Sequence, residues 1–289
     1  MLAALVISVS ALTSVSFLAD RMHRAFEFDA RQLLASDLLI VADQVIPKEL
    51  LEHAGQIGLT TAQTVVFPSM VSSKSQSKLA SIKAVSANYP LRGSLSVELL
   101  GAGSSKEVHQ KQGPKSGTVW VEPAILRNLQ LQLGDELRIG ERQLQITGVL
   151  TRELDRGAGF MNFAPRVMIA LDDLPSTGLL GLGSRVTYRL LLAGSDDVIA
   201  AYHEWADKLI QTQNWRGIRI ETLENAQPMM RKTLERAEQF LSLIALLTAM
   251  ISAVAIALSA RRYAVGQADV CATLKCFGAS RGVILKKQS

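Results

Sequence analysis

Two long runs without a charged residue, Met1 to Ala19 and Phe240 to Leu258, bracket a far more polar middle section. Each is close to the ~20 apolar residues that a helix needs to cross a bilayer core. The pattern predicts two transmembrane helices, residues 1–19 and 240–260, with one large domain between them. Next to each run the period stays helical while the composition turns amphipathic. From Asp20 to Leu39, Met22, Phe26, Leu33 and Leu34 interleave with Arg21, Arg24, Glu27, Asp29 and Arg31. From Gln227 to Gln239, Met230, Leu234 and Ala237 make an apolar side, and Arg231 and Glu235 form an i,i+4 charge pair. Neither junction with a span carries Gly or Pro, so residues 20–39 and 227–239 are expected to continue the spans as a two-helix stalk.

Between the stalk helices, residues 40–226 read as a mixed α/β domain. Pro47–Ile57 has the spacing of a short amphipathic helix (Leu50, Leu51, Ala54, Ile57) closed by Gly58. Strands are expected at Thr64–Val71, Ala80–Val85, Thr118–Glu122, Arg166–Leu171, Arg185–Ala193 and Gly217–Thr222, and a helix from Pro123. Glu136–Ile139 and Arg142–Leu150 form a hairpin in which Leu137, Ile139, Leu144 and Ile146 alternate with polar residues. Ser195–Gln211 is an amphipathic helix (Val198, Tyr202, Trp205, Leu209) with Asp196 and Asp197 in its first turn, where the helix dipole favours acids. Leu100–Gly117, rich in Gly, Ser and Lys, reads as a loop.

Charge sets the orientation. The net charge is +5, and residues 261–289 hold all of it: Arg261, Arg262, Lys275, Arg281, Lys286 and Lys287 stand against Asp269 alone. Lys and Arg concentrate in cytoplasmic loops, which places 261–289 in the cytoplasm and the large domain outside. Nucleic-acid binding, which a basic chain would otherwise suggest, is disfavoured by the same confinement. The cysteines, Cys271 and Cys276, both lie in this tail, so the outer domain has no disulfide. On a helix they would sit ~140° apart, too far around the axis to share a metal, and they read as small apolar positions. Met1–Ala19 has neither a basic flank nor a small-x-small site before Asp20, so it is expected to remain as an uncleaved helix.

Candidate catalytic chemistry is sparse. His23, His53, His109 and His203 are scattered, and neither a His-Glu-x-x-His nor a Gly-x-Ser-x-Gly motif occurs. Gly113-Pro-Lys-Ser-Gly-Thr has the composition of a phosphate loop without its order, and Gly101-Ala-Gly-Ser-Ser-Lys lacks the glycine spacing of a dinucleotide loop. The acidic pairs Asp172/Asp173 and Asp196/Asp197 fit turns and caps. The expectation is a non-enzymatic chain without cofactor or metal. The tail carries more pattern. Tyr263, Val270, Leu274 and Phe277 form one helical stripe, Gly278 follows where a glycine closes a helix, and Ser280 can cap a new one. A short amphipathic helix near the membrane surface is expected, followed by a turn back inward, in a reading frame cut before a third span. On the residues alone this helix is either an interfacial anchor or a docking element.

The run Asp269-Val-Cys-Ala-Thr-Leu274-Lys275-Cys-Phe-Gly278-Ala279-Ser280-Arg281 resembles the cytoplasmic segment of ABC-transporter permeases of the FtsX/MacB/LolC type. Three outer pieces resemble them too: Leu133-Gly-Asp-Glu-Leu-Arg-Ile-Gly through Ile146-Thr-Gly-Val, Ala84-Val85 with Tyr89-Pro90-Leu91, and Ala164-Pro165-Arg166. Phe277 and Cys276 depart mildly from the pattern. The resemblance implies a membrane protein in which two transmembrane α-helices and a helical stalk flank a mixed α/β extracytoplasmic domain. It implies a bacterial inner-membrane location and the bilayer as surroundings. A separate cytoplasmic ATPase of the YbbA/LolD type would bind the ATP and dock on the tail. A second permease copy or a carboxy-terminal half would complete the assembly. Carried over by position, Arg262, Tyr263, Asp269, Leu274, Lys275, Gly278 and Ala279 would form the coupling element, and ATP hydrolysis would move the outer domain. The rival readings are a membrane-bound sensor with an outer ligand-binding domain and an anchored or secreted enzyme.

Overall fold

The structure is a computed structural model. It describes residues 10, 13–14, 17, 20–21, 31–32, 34–73, 76–100, 107–153, 155–156, 164–181, 185–222 and 228–276. The chain divides into two units, Phe26–Pro228 and the two flanking segments Met1–Ala25 and Met229–Ser289.

In the first unit, eleven strands share one sheet: β1 (Leu38–Ala42), β2 (Thr60–Ser72), β3 (Ser77–Val85), β4 (Leu95–Leu99), β5 (Glu107–Gln110), β6 (Thr118–Val121), β7 (Glu136–Ile139), β8 (Arg142–Arg152), β9 (Arg166–Ala170), β10 (Thr187–Ala193) and β11 (Ile218–Glu221). Six of them close a ring. β2 pairs β3, β3 pairs β9, β9 pairs β6, β6 pairs β8, β8 pairs β7, and β7 returns to β2 through Val71↔Ile139. Closure leaves these strands without a free edge over the paired stretch. The alternating hairpin residues Leu137, Ile139, Leu144 and Ile146 are all buried, in one cluster with Val71, Ala80, Ile82, Val119, Val121, Val167 and Ile169. The helix α2 (Pro123–Leu129), started by the expected Pro123, adds Ile125 and Leu129 to that cluster.

A wing extends from the ring along β2, in the order β10, β1, β11. β2 serves both parts: Thr60–Val66 pair with β10, while Thr64–Ser72 pair with β3. Pro68 is tolerated in this long strand because it lies beyond the β10 pairing and before the β7 pairing, where no neighbour needs its missing N–H. β1 and the second half of β10 are buried on both faces. Leu38, Ile40, Leu190 and Leu192 pack on α1 (Lys48–Gln56) and α3 (Asp196–Thr212) through Leu50, Ala54, Tyr202 and Ala206. Leu39, Val41 and Leu191 face the opposite way, into a cluster with Val85, Tyr89, Val97, Trp120 and Met168.

Double burial explains one departure from the sequence reading. The stalk helix expected to run to Leu39 gives way at Ala35, which adopts φ 56°, and β1 begins at Leu38. All five residues of Leu38–Ala42 are buried. A strand covered on both faces shows a continuous apolar run in place of alternation, so its period does not separate it from a helix. The loop expected over Leu100–Gly117 likewise contains a strand, β5, paired to β4 from Leu95↔Gln110 to Glu98↔Glu107. β4 itself, in the unassigned stretch after Val85, was not anticipated.

In the second unit a single helix, α4, runs from Pro228 to Cys276, 49 residues without interruption. At 1.5 Å per residue this is about 73 Å. The sequence reading expected a stalk, a span and a separate surface helix, and all three are one element through Cys276. The span predicted at residues 1–19 falls largely outside the described residues; Ser10, Thr13, Ser14 and Phe17 within it are helical.

Gly148 marks a close contact that holds β8 in the ring. The β6–β8 register shifts between Ile146 and Gly148, and a Cβ on Gly148 would lie 2.6 Å from Trp120 Cδ1 and 2.7 Å from Val97 Cγ1. Neither neighbour is free to retreat, since Trp120 and Val97 are both core residues. Gly148→Ala is therefore expected to cost about 1–3 kcal/mol, read as a lower midpoint in thermal or urea unfolding.

Candidate functional site

The coupling residues named from the sequence fall mostly on α4. Arg262, Tyr263, Asp269, Leu274 and Lys275 are all on this helix, and Arg262 is exposed. At about 100° per residue, positions 263, 270 and 274 lie within roughly 40° of one another around the axis. Positions 262 and 269 share one flank of that line and position 275 lies on the other, so the apolar stripe and its polar borders exist as backbone positions. Gly278 and Ala279 lie outside the described residues.

Upstream on the same helix is the segment able to cross a membrane. Ser242–Arg262 has a mean hydropathy of 2.4, and among the described residues it is the one helix long and apolar enough. Its apolar side chains are not core: Phe240, Leu243, Leu246, Leu247, Met250, Ile251, Val254 and Leu258 are all more than half exposed. A contiguous apolar surface of this kind is stable only when lipid or protein covers it. Beyond Arg262 the helix goes on for about 21 Å, through the positions named above.

The first and last strands of the unit Phe26–Pro228 are neighbours: β1 and β11 pair antiparallel with Leu39 opposite Glu221. The start of one and the end of the other therefore lie at the same end of the sheet, one strand spacing apart, about 5 Å.

The densest chemistry of the outer unit is a buried ionic cluster that the sequence reading did not name. In β3, Ala80, Ile82 and Ala84 point into the ring, so Ser81 and Lys83 project from its outer side. There Lys83 is 0% exposed. Its Nζ donates to Tyr89 Oη at 2.7 Å, to Glu153 Oε1 at 2.6 Å and to both Asp155 oxygens at 2.9 and 2.8 Å. The Tyr89 hydroxyl donates in turn to Asp155. One register step away, Arg166 on β9 gives Nε to Glu153 Oε2 at 2.8 Å and Nη1 to Ser81 Oγ at 2.6 Å. Two cations meet two carboxylates, so the cluster is neutral as a whole.

Electrostatics keep it in that state. Burial pushes the Tyr89 hydroxyl well above its ordinary range, and the charges of Asp155 and Glu153 add to this, so it stays protonated and able to donate. Burial alone would raise Glu153. Lys83 and Arg166 outweigh it and bring the carboxyl down to about 2. The neighbouring Glu122 pairs with Arg156 and accepts from the Arg166 N–H at 2.9 Å, while Arg156 Nη2 donates to Ala164 O at 3.2 Å. Both ends of the β8–β9 connection are thereby fixed. Nothing in the cluster is poised for a reaction: Lys83 has every N–H committed and no solvent contact. Its role is to bind β3, β9 and the β8–β9 connection together.

Tyr89 and Arg166 come from two of the short pieces in which this sequence resembles the permeases, and the fold brings those pieces to one place. The model of the MacB-like periplasmic core domain family matches residues 1–208. The chain belongs to the MacB-like periplasmic core domain family. The resemblance to ABC-transporter permeases of the FtsX/MacB type therefore holds at the level of family. The ABC transporter permease YbbP of Escherichia coli (strain K12) is 30% identical over 284 residues, covering 98% of this chain and 34% of that protein. The chain thus spans about a third of the length of the curated relative it matches. Among solved structures, the periplasmic region of MacB from Actinobacillus actinomycetemcomitans overlaps with TM-score 0.47 at 8% identity, covering 71% of this chain and 95% of that one. The extracellular domain of the noncanonic ABC-type transporter YknZ from Gram-positive bacteria overlaps with TM-score 0.41 at 11% identity, covering 64% and 100%. The architecture of this MacB-like domain rests on its own pairings rather than on these overlaps.

Two measurements check the buried cluster. Lys83→Met removes the cation shared by Glu153 and Asp155 and leaves carboxylates without their partner. It is expected to lower unfolding stability by about 3–5 kcal/mol, the cost of breaking a buried pair on one side. The second is a pH titration of stability. Glu153 is lowered in the folded state, so its contribution is complete above the ordinary carboxyl value near 4.5 and is lost as pH falls towards about 2. Wild type should lose stability over that window faster than Glu153→Gln, and parallel curves would contradict the assignment.

Proposed function

We propose that this chain is the membrane subunit, or permease, of an ABC transporter that works by transmitting movement. ATP hydrolysis takes place on a separate cytoplasmic ATPase, and its closure displaces an extracytoplasmic MacB-like domain. The chain itself is non-catalytic and binds no nucleotide. It resides in a bacterial inner membrane with the large domain outside, placed there by the basic stretch that follows the apolar part of α4.

One observation carries the reading. A single helix joins the span Ser242–Arg262 to the residues named for ATPase docking, without a break from Pro228 to Cys276. A displacement at the cytoplasmic end of such a helix is passed along its axis, because each turn is hydrogen-bonded to the next and no hinge absorbs it. At the other end, six residues separate α4 from β11, which pairs with β1, the first strand of the domain. A pair of connections on adjacent strands moves the domain as a body. Connections at opposite ends of the sheet would tether it instead. In this reading Tyr263 and Leu274 supply the apolar part of the docking face, Asp269 and Lys275 the polar part, Arg262 the flank, and Gly278 with Ala279 the turn beyond it. A second permease copy or further chain completes the machine.

The test is affinity purification of the full chain in detergent, wild type beside Leu274→Asp, with copurifying proteins identified. An ABC ATPase is expected with the wild type. Its recovery should drop at least tenfold with the variant, because desolvating a carboxylate on an apolar face costs well beyond the ~1.4 kcal/mol that a tenfold change requires. Absence of an ATPase from an inserted, folded wild type would overturn the proposal and favour a membrane-bound sensor.

A further inference from the structure

Just before β1, Arg31, Gln32 and Leu34 are helical, and Leu34 and Ala35 are buried in the cluster that Tyr89, Trp120 and Leu191 share. At Ala35 the chain turns through φ 56°, and the Ala35 carbonyl accepts the N–H groups of Leu91 and Arg92, both at 3.0 Å. Asp37 follows, with its side chain 3% exposed. Its carboxylate takes Arg92 in a two-pronged contact, Nε at 3.0 Å and Nη2 at 2.6 Å, and the Gly194 N–H at 3.1 Å. Arg31 Nη1 approaches the same carboxylate at 3.4 Å, and its Nη2 bonds Asp196 at 2.7 Å. Three separate pieces of chain therefore meet at Asp37: the helical residues before β1 through Arg31, the β3–β4 connection through Arg92, and the turn into α3 through Gly194.

A segment that merely tethered the domain would need none of these bonds. We propose that Asp37 is a rigid joint that makes the helical residues Arg31, Gln32 and Leu34 and the α1/α3 side of the wing move as one body. The proposal deepens the mechanotransmission reading and rests on it, since rigidity here is useful only if the helix is displaced. Arg31 supplies the link to the helix, bridging Asp37 and the first turn of α3. Arg92 and Gly194 hold the carboxylate in place. Bidentate Arg–carboxylate geometry of this kind fixes orientation as well as distance.

The joint is tested on the full chain in lipid nanodiscs, with Cys271 and Cys276 replaced by Ser and spin labels placed at Gln32→Cys and Glu204→Cys. Pulsed dipolar spectroscopy should give one narrow distance distribution for the otherwise wild-type chain. Asp37→Asn and Arg31→Gln should each lose that narrow peak to a broad distribution, while amide exchange in β2, β3 and β10 stays as protected as before. Arg31→Gln keeps the test decisive if Asp37→Asn does not fold, because it leaves Arg92 and Gly194 on Asp37. Unchanged distributions overturn the proposal, as does broadening that comes only with lost protection in those strands. No ATPase or nucleotide is present in the sample, so a failed copurification strikes the permease reading and leaves this result standing.

Discussion

The ammonium group of Lys83 projects from the outer side of the strand ring into a place without solvent, and the surrounding structure is arranged to satisfy it. Moving such a charge out of water costs several kcal/mol, which only close carboxylates and a full set of hydrogen bonds offset. Glu153 and Asp155 supply the carboxylates and Tyr89 the neutral acceptor. Arg166 then balances the second negative charge and takes Ser81 with it. Clusters of this kind add little net stability over an apolar core of equal volume. What this one enforces is geometry. β3, β9, the end of β8 and the loop carrying Tyr89 must each be in place before any of the charges is paired.

That geometry matters because the sheet does two jobs. Around the ring, apolar residues on six strands fill a closed interior. Along the wing, β10 and β1 are sandwiched between α1 and α3 on one face and the outer side of the ring strands on the other, while β11 is covered on the α1/α3 face alone. β2 is common to both, and its length makes them one unit: a rotation of the wing must bend a strand that is also locked into the ring. Arg189 on β10 gives Nη1 to the Asp155 carbonyl at 3.3 Å, so the ionic cluster also reaches the wing. Ring and wing are thus tied together as one unit.

α4 is continuous over 49 residues, and its apolar portion is long and apolar enough to cross a membrane. Within the unit Phe26–Pro228 the first and last strands are neighbours, with the Asp37 contacts beside the first. The proposed transmission of movement draws on the hydrogen-bonded continuity of α4 itself, and it requires no reactive group in the outer domain.

Much of this was legible in the sequence because the signals are local. The helical apolar run of α4, the alternating β7–β8 hairpin, the Gly58 stop and the acidic first turn of α3 depend on residues a few positions apart, and each was read correctly. β1 was not, since a strand buried on both faces loses its period, and β5 was masked by loop-like composition. The stripe of Tyr263, Val270 and Leu274 could be seen, yet only the structure decided that it continues the span helix. The buried cluster left one trace, Lys83 beside Ser81 in the mostly apolar run Ala80–Val85. Its partners lie 6 to 72 residues further along the chain, and Asp37 and Gly194 are 157 residues apart. Helix and strand periods reflect nearest neighbours along the chain, so the sequence by itself determined most of the elements and the family. Which charges are buried, what neutralises them and where the domain is fastened depend on ring closure and wing packing, and these were decided only by the tertiary structure.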